Sequence, residues 1–293
     1  MQTPFRIAVA SGKGGTGKTL FSSNMFASLA RQGIDVAFID CDAEEPNAGI
    51  FFETDFVSKE QVNQEVPVID TDKCTFCNQC HDACRYHAIF SLPDSQIIQV
   101  IEDLCHDCGA CYHACRFDAI TPKVFPLGDV NTYHCKGYDG KLIEARMHAG
   151  IYSPVKIIDR AIQNNSMAGV TILDSPPGTS CPFIHTVAYS EYVILITEST
   201  PFGVNDLKQA VAVLKEMKKP FGVVVNRVGL GNHEVFRYLK KEKIDLLWQI
   251  PFEKRIARLY SEGKLIIDEH PVWDQRFMSV YEYIIGKYGI GSN

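Results

Sequence analysis

The sequence predicts an α/β fold with a mostly parallel sheet, interrupted by a small cysteine-rich module. Short apolar runs such as 35–40 and 169–174 end in carboxylates and alternate with helical segments, as expected for parallel strands buried on both faces. A glycine-rich loop at 11–19 follows the first apolar run, and eight of the 11 cysteines fall between residues 74 and 115. At 293 residues the chain is long enough for one large core plus a small module.

The glycine-rich loop fits the pattern G-x-x-x-x-G-K-[ST] between an expected strand at 5–10 and an expected helix at 20–32. In that context, converging backbone N–H groups and the helix N-terminus bind phosphate, whereas a plain glycine-rich turn before a helix is the alternative. Lys18 would contact the β- and γ-phosphates, and the Thr19 hydroxyl would bind Mg²⁺. The loop residues expected to surround ATP or ADP are Gly12, Lys13, Gly14, Gly15, Thr16, Gly17, Lys18 and Thr19.

An acidic segment follows the second apolar run, beginning with Asp40 and Asp42. Parallel sheets bind ligands beyond the carboxyl ends of their strands, so these carboxylates are expected beside the phosphates. A solvated acidic turn is the alternative. Residues 48–69 lose clear periodicity, and no element is assigned to them.

The cysteine-rich module contains an internal duplication. The spacing C-x-x-C-x-x-C-x-x-x-C occurs twice, 31 residues apart, and the similarity continues past the cysteines into 85–89 and 116–120. Zinc is one reading of C-x-x-C pairs, but two complete sets of four favour iron–sulfur clusters. Without any sign of secretion, clustered cysteines indicate metal rather than disulfides.

The remaining chain predicts the rest of the parallel sheet. A hairpin turn is expected at 138–141, and strands are expected at 169–174, 192–197 and 221–226. Helices are expected at 205–218, 233–242, 253–262 and 275–288. The strand ending at Asp174 leads into Ser-Pro-Pro-Gly at 175–178.

Composition excludes two classes of partner. A formal charge of −6, a pI near 5.9 and no basic run argue against nucleic acid. No apolar run approaches the ~18 residues of a membrane span, and the N-terminus enters a strand too early for a signal peptide. The expectation is a soluble cytoplasmic protein.

The loop 13–19 resembles the deviant P-loop of the MinD/ParA ATPases, a SIMIBI-type P-loop NTPase group that includes the nitrogenase iron protein and Mrp-type carriers. The resemblance implies ATP hydrolysis that is slow and stimulated by a partner. It implies that Lys13 reaches the phosphates of a second subunit, so that ATP binding drives a homodimer or a heterodimer with a paralogous ATPase. Lys13, Lys18 and Asp42 would then be catalytic, with Asp42 orienting the attacking water.

The same resemblance assigns further contacts. Asp40 and Asp174 would support Mg²⁺. Asn226 would hydrogen-bond the adenine edge, and Pro251 would pack on its face. Residues 175–180 resemble the family's switch II and are called the switch segment, in which the Gly178 N–H would meet the γ-phosphate. Cys181 follows it, where the nitrogenase iron protein has a cluster ligand, but no second ligand cysteine is found in 146–156. A buried thiol is therefore expected at Cys181, with an interface metal as the alternative.

The cysteine spacing resembles that of bacterial two-cluster ferredoxins, in which the fourth cysteine of each motif ligates the other cluster. Residues 69–124 would be a small α+β ferredoxin-like domain inserted between ATPase segments 1–68 and 125–293. The resemblance implies two [4Fe–4S] clusters, one bound by Cys74, Cys77, Cys80 and Cys115, and the other by Cys84, Cys105, Cys108 and Cys111.

These features leave three hypotheses about function. The first is ATP-gated electron transfer through the two clusters to an unknown redox partner. The second is an iron–sulfur carrier of the Mrp type, although no cysteine follows Cys181 and the carriers' C-terminal C-x-x-C is missing. The third is a positioning ATPase that uses its clusters as a redox sensor.

Overall fold

The computed structural model describes residues 4–164 and 169–289. Within these residues the strands are β1 Phe5–Ala10, β2 Val36–Asp40, β3 Thr54–Ile69, β4 Ile89–Leu92, β5 Ile97–Val100, β6 Ile120–Cys135, β7 Gly140–Met147, β8 Val170–Asp174, β9 Tyr192–Glu198, β10 Phe221–Val228 and β11 Leu246–Pro251. The helices are α1 Lys18–Arg31, α2 Gln79–Ala83, α3 Ala110–Ala114, α4 Val155–Gln163, α5 Cys181–Ala188, α6 Pro201–Glu216, α7 Glu234–Glu242, α8 Lys254–Ser261, α9 Ile266–Glu269 and α10 Pro271–Tyr288.

The chain divides into two compact units. The first contains residues 1–60, 130–146 and 155–293, and the second contains residues 61–129 and 147–154. Strands β3 and β6 each begin in one unit and end in the other. Every cysteine of the duplicated motif lies in the second unit, and the glycine-rich loop lies in the first.

The main sheet confirms the expected mostly parallel architecture. Its strand order is β11-β10-β9-β1-β8-β2-β7-β6-β3, and every pairing from β11 to β7 is parallel. Strands β2 and β8 are buried along their whole length, as their apolar runs require. In register, Asp40 lies opposite Asp174, and Asn226 lies opposite Glu198, so these polar groups share the carboxyl edge of the sheet.

Most expected elements form within a few residues of their predicted bounds, including the hairpin turn between β6 and β7. Helix α6 begins four residues early because Pro201 occupies its first turn and the Thr200 hydroxyl accepts the Gly203 N–H at 3.1 Å. The loss of periodicity at 48–69 left a strand unassigned. Strand β3 covers 54–69. Buried and exposed side chains alternate along it only around Val62 and Val66.

The core of the first unit packs helices against the sheet. Phe21 and Phe26 of α1 are fully buried, and the Phe21 ring meets that of Phe277 from α10 edge to face at 5.0 Å. This packing holds α1, and with it the glycine-rich loop, against the sheet. Across the described residues, no helix has both the length and the apolar character needed to cross a membrane.

Candidate functional site

The glycine-rich loop connects β1 to α1, which begins at Lys18. Gly17 adopts a left-handed φ of 96°, and a Cβ at this position would lie 2.5 Å from the Asn226 amide nitrogen. A Cβ on Gly12 would lie 2.3 Å from the backbone oxygen of Asp206. Close packing therefore favours glycine at both positions, and the backbone conformation favours it at Gly17 as well.

The loop opens onto a cleft of about 360 Å³, a size within the range of ligand pockets. Gly14, Gly15, Gly17, Lys18 and Thr19 line it on the phosphate side. The Thr16 hydroxyl is buried and has no hydrogen-bond partner among the described residues. The structure thus brings five of the eight predicted loop residues to one cleft, whereas Gly12, Lys13 and Thr16 are not among the described residues that line it.

Asp174 and Asp40 are both almost fully buried and differ in their partners. Neither Asp174 oxygen has a partner with hydrogen-bond geometry in the described chain, although the Thr19 and Ser22 hydroxyls lie close enough to lower its pKa. Burial outweighs them and raises the pKa of Asp174. Asp40 accepts backbone N–H groups from Asp42 at 3.1 Å and from Asn47 and Ala48 at 2.9 Å.

This pattern fits a divalent cation at Asp174. The Lys18 ammonium offsets part of the cost of burying Asp174, and a bound cation would supply the ligand contacts that its two oxygens lack. Thr19 lies close to Asp174 at the mouth of α1, where the sequence predicts the Mg²⁺ ligand. Asp40 instead holds the loop that follows β2, and its role toward Mg²⁺ stays a prediction. Mg²⁺, when bound, would screen the phosphate charge.

Asp42 lines the cleft beside Lys18. Burial raises the pKa of Asp42, while the nearby Lys18 ammonium opposes that shift. A half-buried carboxylate in this position can accept a hydrogen bond from water, as its predicted role requires.

The predicted adenine-side residues, Asn226 and Pro251, also line the cleft. The Asn226 amide donates to the Thr16 carbonyl at 2.8 Å, and its oxygen accepts the Arg227 N–H at 2.8 Å. Asn226 therefore supports the phosphate loop directly, and its contact with adenine stays a prediction. The other wall of the cleft continues from Pro251 through Phe252 into residues that were not predicted to belong to the site, which are Glu253, Ile256, Ala257 and Tyr260.

The switch segment after β8 contacts the phosphate loop. The Gly178 N–H, which was expected to face a phosphate, donates to the Ser11 carbonyl at 3.1 Å. Cys181 is exposed at the start of α5, whereas a buried thiol was expected. Cys41 and Cys135 are buried, and burial raises the pKa of both thiols.

The eight motif cysteines form two groups of four around separate cavities in the second unit. We define the first cysteine ring as Cys74, Cys77, Cys80 and Cys115, and the second cysteine ring as Cys84, Cys105, Cys108 and Cys111. Each ring combines three cysteines of one motif with the fourth of the other. Burial raises the pKa of the Cys80 and Cys105 thiols. The nearby Cys115 adds to the shift of Cys80, and Cys84 adds to that of Cys105, as the crossed membership requires.

Backbone geometry repeats with the sequence duplication. Left-handed φ angles occur at Phe76 and at its equivalent Asp107, 31 positions later, and helix α3 repeats α2 at the same offset. The same holds for His87 and Asp118. Each motif thus folds in the same way around its three close cysteines, and one cysteine of each ring, Cys77 or Cys108, is exposed.

The ligand sets of the two cysteine rings can be compared with those of known metal centres. Among residues 4–164 and 169–289, no group of three or more His, Cys, Asp or Glu side chains is arranged to hold one metal ion. A tetrahedral zinc site brings four ligands within about 2.3 Å of a single centre. A [4Fe–4S] cluster takes four thiolates, each bound to a different iron, and four is the number of cysteines that each ring supplies.

Comparison with known proteins agrees with the nucleotide cleft. The CbiA family, the CobQ/CobB/MinD/ParA nucleotide binding domain, matches residues 7–266. An uncharacterized protein of Methanocaldococcus jannaschii is 32% identical over 262 residues, covering 88% of this chain and 90% of the relative. An iron-sulfur cluster carrier protein of Pyrococcus horikoshii is 24% identical over 304 residues, covering 97% of this chain and 86% of the relative.

The fold is also similar to that of the septum site-determining protein MinD of Pyrococcus horikoshii, solved with Mg-ADP. The TM-score is 0.58 with 18% identity, and 96% of each chain is covered. With the P-loop cleft, the parallel sheet and the family match over most of the sequence, the chain belongs to the CobQ/CobB/MinD/ParA nucleotide-binding family and is an ATPase of the MinD/ParA type.

Proposed function

We propose that this protein is an ATP-dependent electron-transfer protein in which a nucleotide-driven dimer cycle is coupled to two [4Fe–4S] clusters. The observation that carries the proposal is the sorting of eight cysteines into two rings with crossed membership. Full four-cysteine ligation retains a cluster, and such clusters carry one electron at a time. Residues 61–129 would act as an inserted ferredoxin-like module.

The chain's own residues supply the nucleotide chemistry. Lys18 would neutralise the β- and γ-phosphates, and the loop N–H groups would hold them in place. Asp42 would orient the attacking water, and Lys13 of each subunit would reach the phosphates of its partner in a homodimer or a paralogous heterodimer. Hydrolysis would then reopen the dimer and end one cycle of electron transfer.

The charge distribution supports a basic redox partner. Residues 61–129 contain ten Asp and Glu but four Lys and Arg, a net charge of −6, which equals the formal net charge of the whole chain. Attraction between opposite surface potentials accelerates the encounter of redox proteins. The proposed acceptor or donor would therefore present a positively charged face to the cysteine module.

A second candidate function is iron–sulfur cluster delivery. It is favoured by the 24% identity to an iron-sulfur cluster carrier protein along almost the whole chain. Four cysteines per ring oppose it, because a donated cluster must exchange its ligands with a recipient. The likeness to MinD shows the fold alone and adds no support for a positioning role.

An anaerobic transfer assay separates the two candidates. Reduced protein is mixed with MgATP and an oxidised redox dye in one experiment, and with a cluster-free ferredoxin in another. We expect ATP-stimulated dye reduction with the iron retained on the chain. Transfer of iron and sulfide to the ferredoxin, with no ATP effect on dye reduction, would instead establish the carrier function.

A further inference from the structure

A buried carboxylate at the end of β9 binds two cations. The Glu198 side chain contacts Lys13 Nζ at 3.5 Å through one oxygen and the Arg227 guanidinium through the other. Glu198 is 7% exposed, so its two ion pairs offset the free-energy cost of burying the carboxylate. We call these three residues the Glu198 triad.

The Glu198 triad holds the Lys13 ammonium outside the nucleotide cleft. Among the described residues, Gly14, Gly15 and Lys18 line the cleft, whereas Lys13 does not. The Lys13 carbonyl accepts the Ser11 hydroxyl at 2.5 Å, and its ammonium faces Glu198 of the same subunit. The lysine that would cross to a second subunit is therefore paired within its own.

Because Arg227 also binds Glu198, the release of Lys13 costs little free energy. If Lys13 moves to another anion, Glu198 keeps the Arg227 guanidinium and is not left buried without a partner. Arg227 also lines the cleft, next to Asn226, which bonds to the phosphate loop. The residue that remains on Glu198 is thus placed to respond to a bound nucleotide.

We infer that Glu198 is a positioning residue that keeps Lys13 within its own subunit until the phosphates of a second, ATP-bound subunit compete for it. This inference rests on the proposed function, in which Lys13 acts across the dimer. Glu198 then sets the threshold of ATP-dependent dimerisation, and Arg227 lowers that threshold by sharing the carboxylate.

The test is Glu198→Gln, which keeps the shape and a hydrogen-bond acceptor for Arg227 but removes the charge that holds Lys13. A partly exposed ion pair of this kind contributes about a threefold preference. Because a symmetric dimer contains two copies of Lys13, we expect a dimer dissociation constant about tenfold lower than wild type. Sedimentation with a non-hydrolysable MgATP analogue measures it.

Three further variants make the test specific. Arg227→Gln leaves Lys13 as the sole cation on Glu198, so at saturating nucleotide it should weaken dimerisation, the opposite effect. Glu242→Gln removes the same charge from an exposed ion pair with Lys215 and should leave dimerisation unchanged. If Glu198→Gln folds poorly, Glu198→Asp should shift dimerisation in the same direction, because the shorter side chain loses the longer of the two contacts first, which is the 3.5 Å contact with Lys13.

A second readout follows Lys13 itself. Without nucleotide, acylation of Lys13 followed by mass spectrometry should be about threefold faster in Glu198→Gln than in wild type. Unchanged labelling and unchanged dimerisation would overturn the inference while leaving the proposed function intact. If Lys13→Ala dimerises with ATP like wild type, the cross-subunit role of Lys13 in the proposed function is wrong, and the inference falls with it.

Discussion

Lys18→Ala is expected to abolish tight ATP binding and ATP hydrolysis. Lys18 is 7% exposed at the start of α1, where its ammonium lies near Asp42 and Asp174 as well as the predicted phosphates. Removing one partner of a buried charged contact costs about 3 kcal/mol or more, which is a loss of affinity above about a hundredfold. Calorimetry or a fluorescent ATP analogue measures the change.

The control for Lys18→Ala is Lys215→Ala, which removes the same charge from the exposed end of α6. That variant should bind ATP like wild type. Thermal unfolding without nucleotide shows whether the Lys18 variant is folded. This measurement is needed because removing the Lys18 ammonium leaves Asp42 and Asp174 with less positive charge nearby. A folded Lys18→Ala protein that retains wild-type ATP affinity would refute the assignment of the phosphate site.

Cys115→Ala is expected to remove the cluster of the first cysteine ring. Anaerobically prepared wild type should contain about eight iron atoms per chain, and this variant about four. The physical reason is the crossed membership of the rings, in which Cys115 shares a cavity with Cys74, Cys77 and Cys80 rather than with its sequence neighbours. Iron and sulfide analysis measures the loss.

Identifying which of the two clusters remains tests the ring assignment more directly than the iron content does. Cys115→Ala and Cys77→Ala should leave the same cluster, with the same spectrum and midpoint potential. Cys84→Ala and Cys108→Ala should leave the other one. The exposed Cys181 serves as control, because Cys181→Ala should leave the iron content unchanged. If the Cys115 variant instead matches Cys108→Ala, or if zinc replaces iron in wild type, the ring assignment is wrong.

The fold of the nucleotide unit was largely predictable because parallel strands are buried on both faces. Strands β1, β2, β8, β9 and β10 are apolar runs that the sequence shows directly. Strand β3 was missed because it lies at the sheet edge and exposes most of its first half, so polar residues hide its period. Strand β6 contains Pro122, Pro126 and Gly128, which also weaken a strand signal.

The site was predictable where short motifs determine it. The phosphate loop and the three close cysteines of each motif depend on local spacing, which a sequence displays, whereas the crossed fourth cysteine was expected only from the resemblance to two-cluster ferredoxins. The bonds of Asn226 to Thr16 and of Glu198 to Lys13 join residues far apart in the chain, and no spacing rule connects them. The α8 wall around Tyr260 was missed for the same reason, since an ordinary amphipathic helix supplies it.

The central claim is that nucleotide state and redox state are coupled, and anaerobic redox titration with and without MgATP tests it most directly. If reduced and oxidised protein bind ATP differently, ATP must shift the midpoint potential by the equivalent free energy. A tenfold difference in affinity corresponds to about 60 mV for one electron. We predict a shift of this order in wild type and none in Lys18→Ala. Identical potentials with and without MgATP in wild type would contradict the claim.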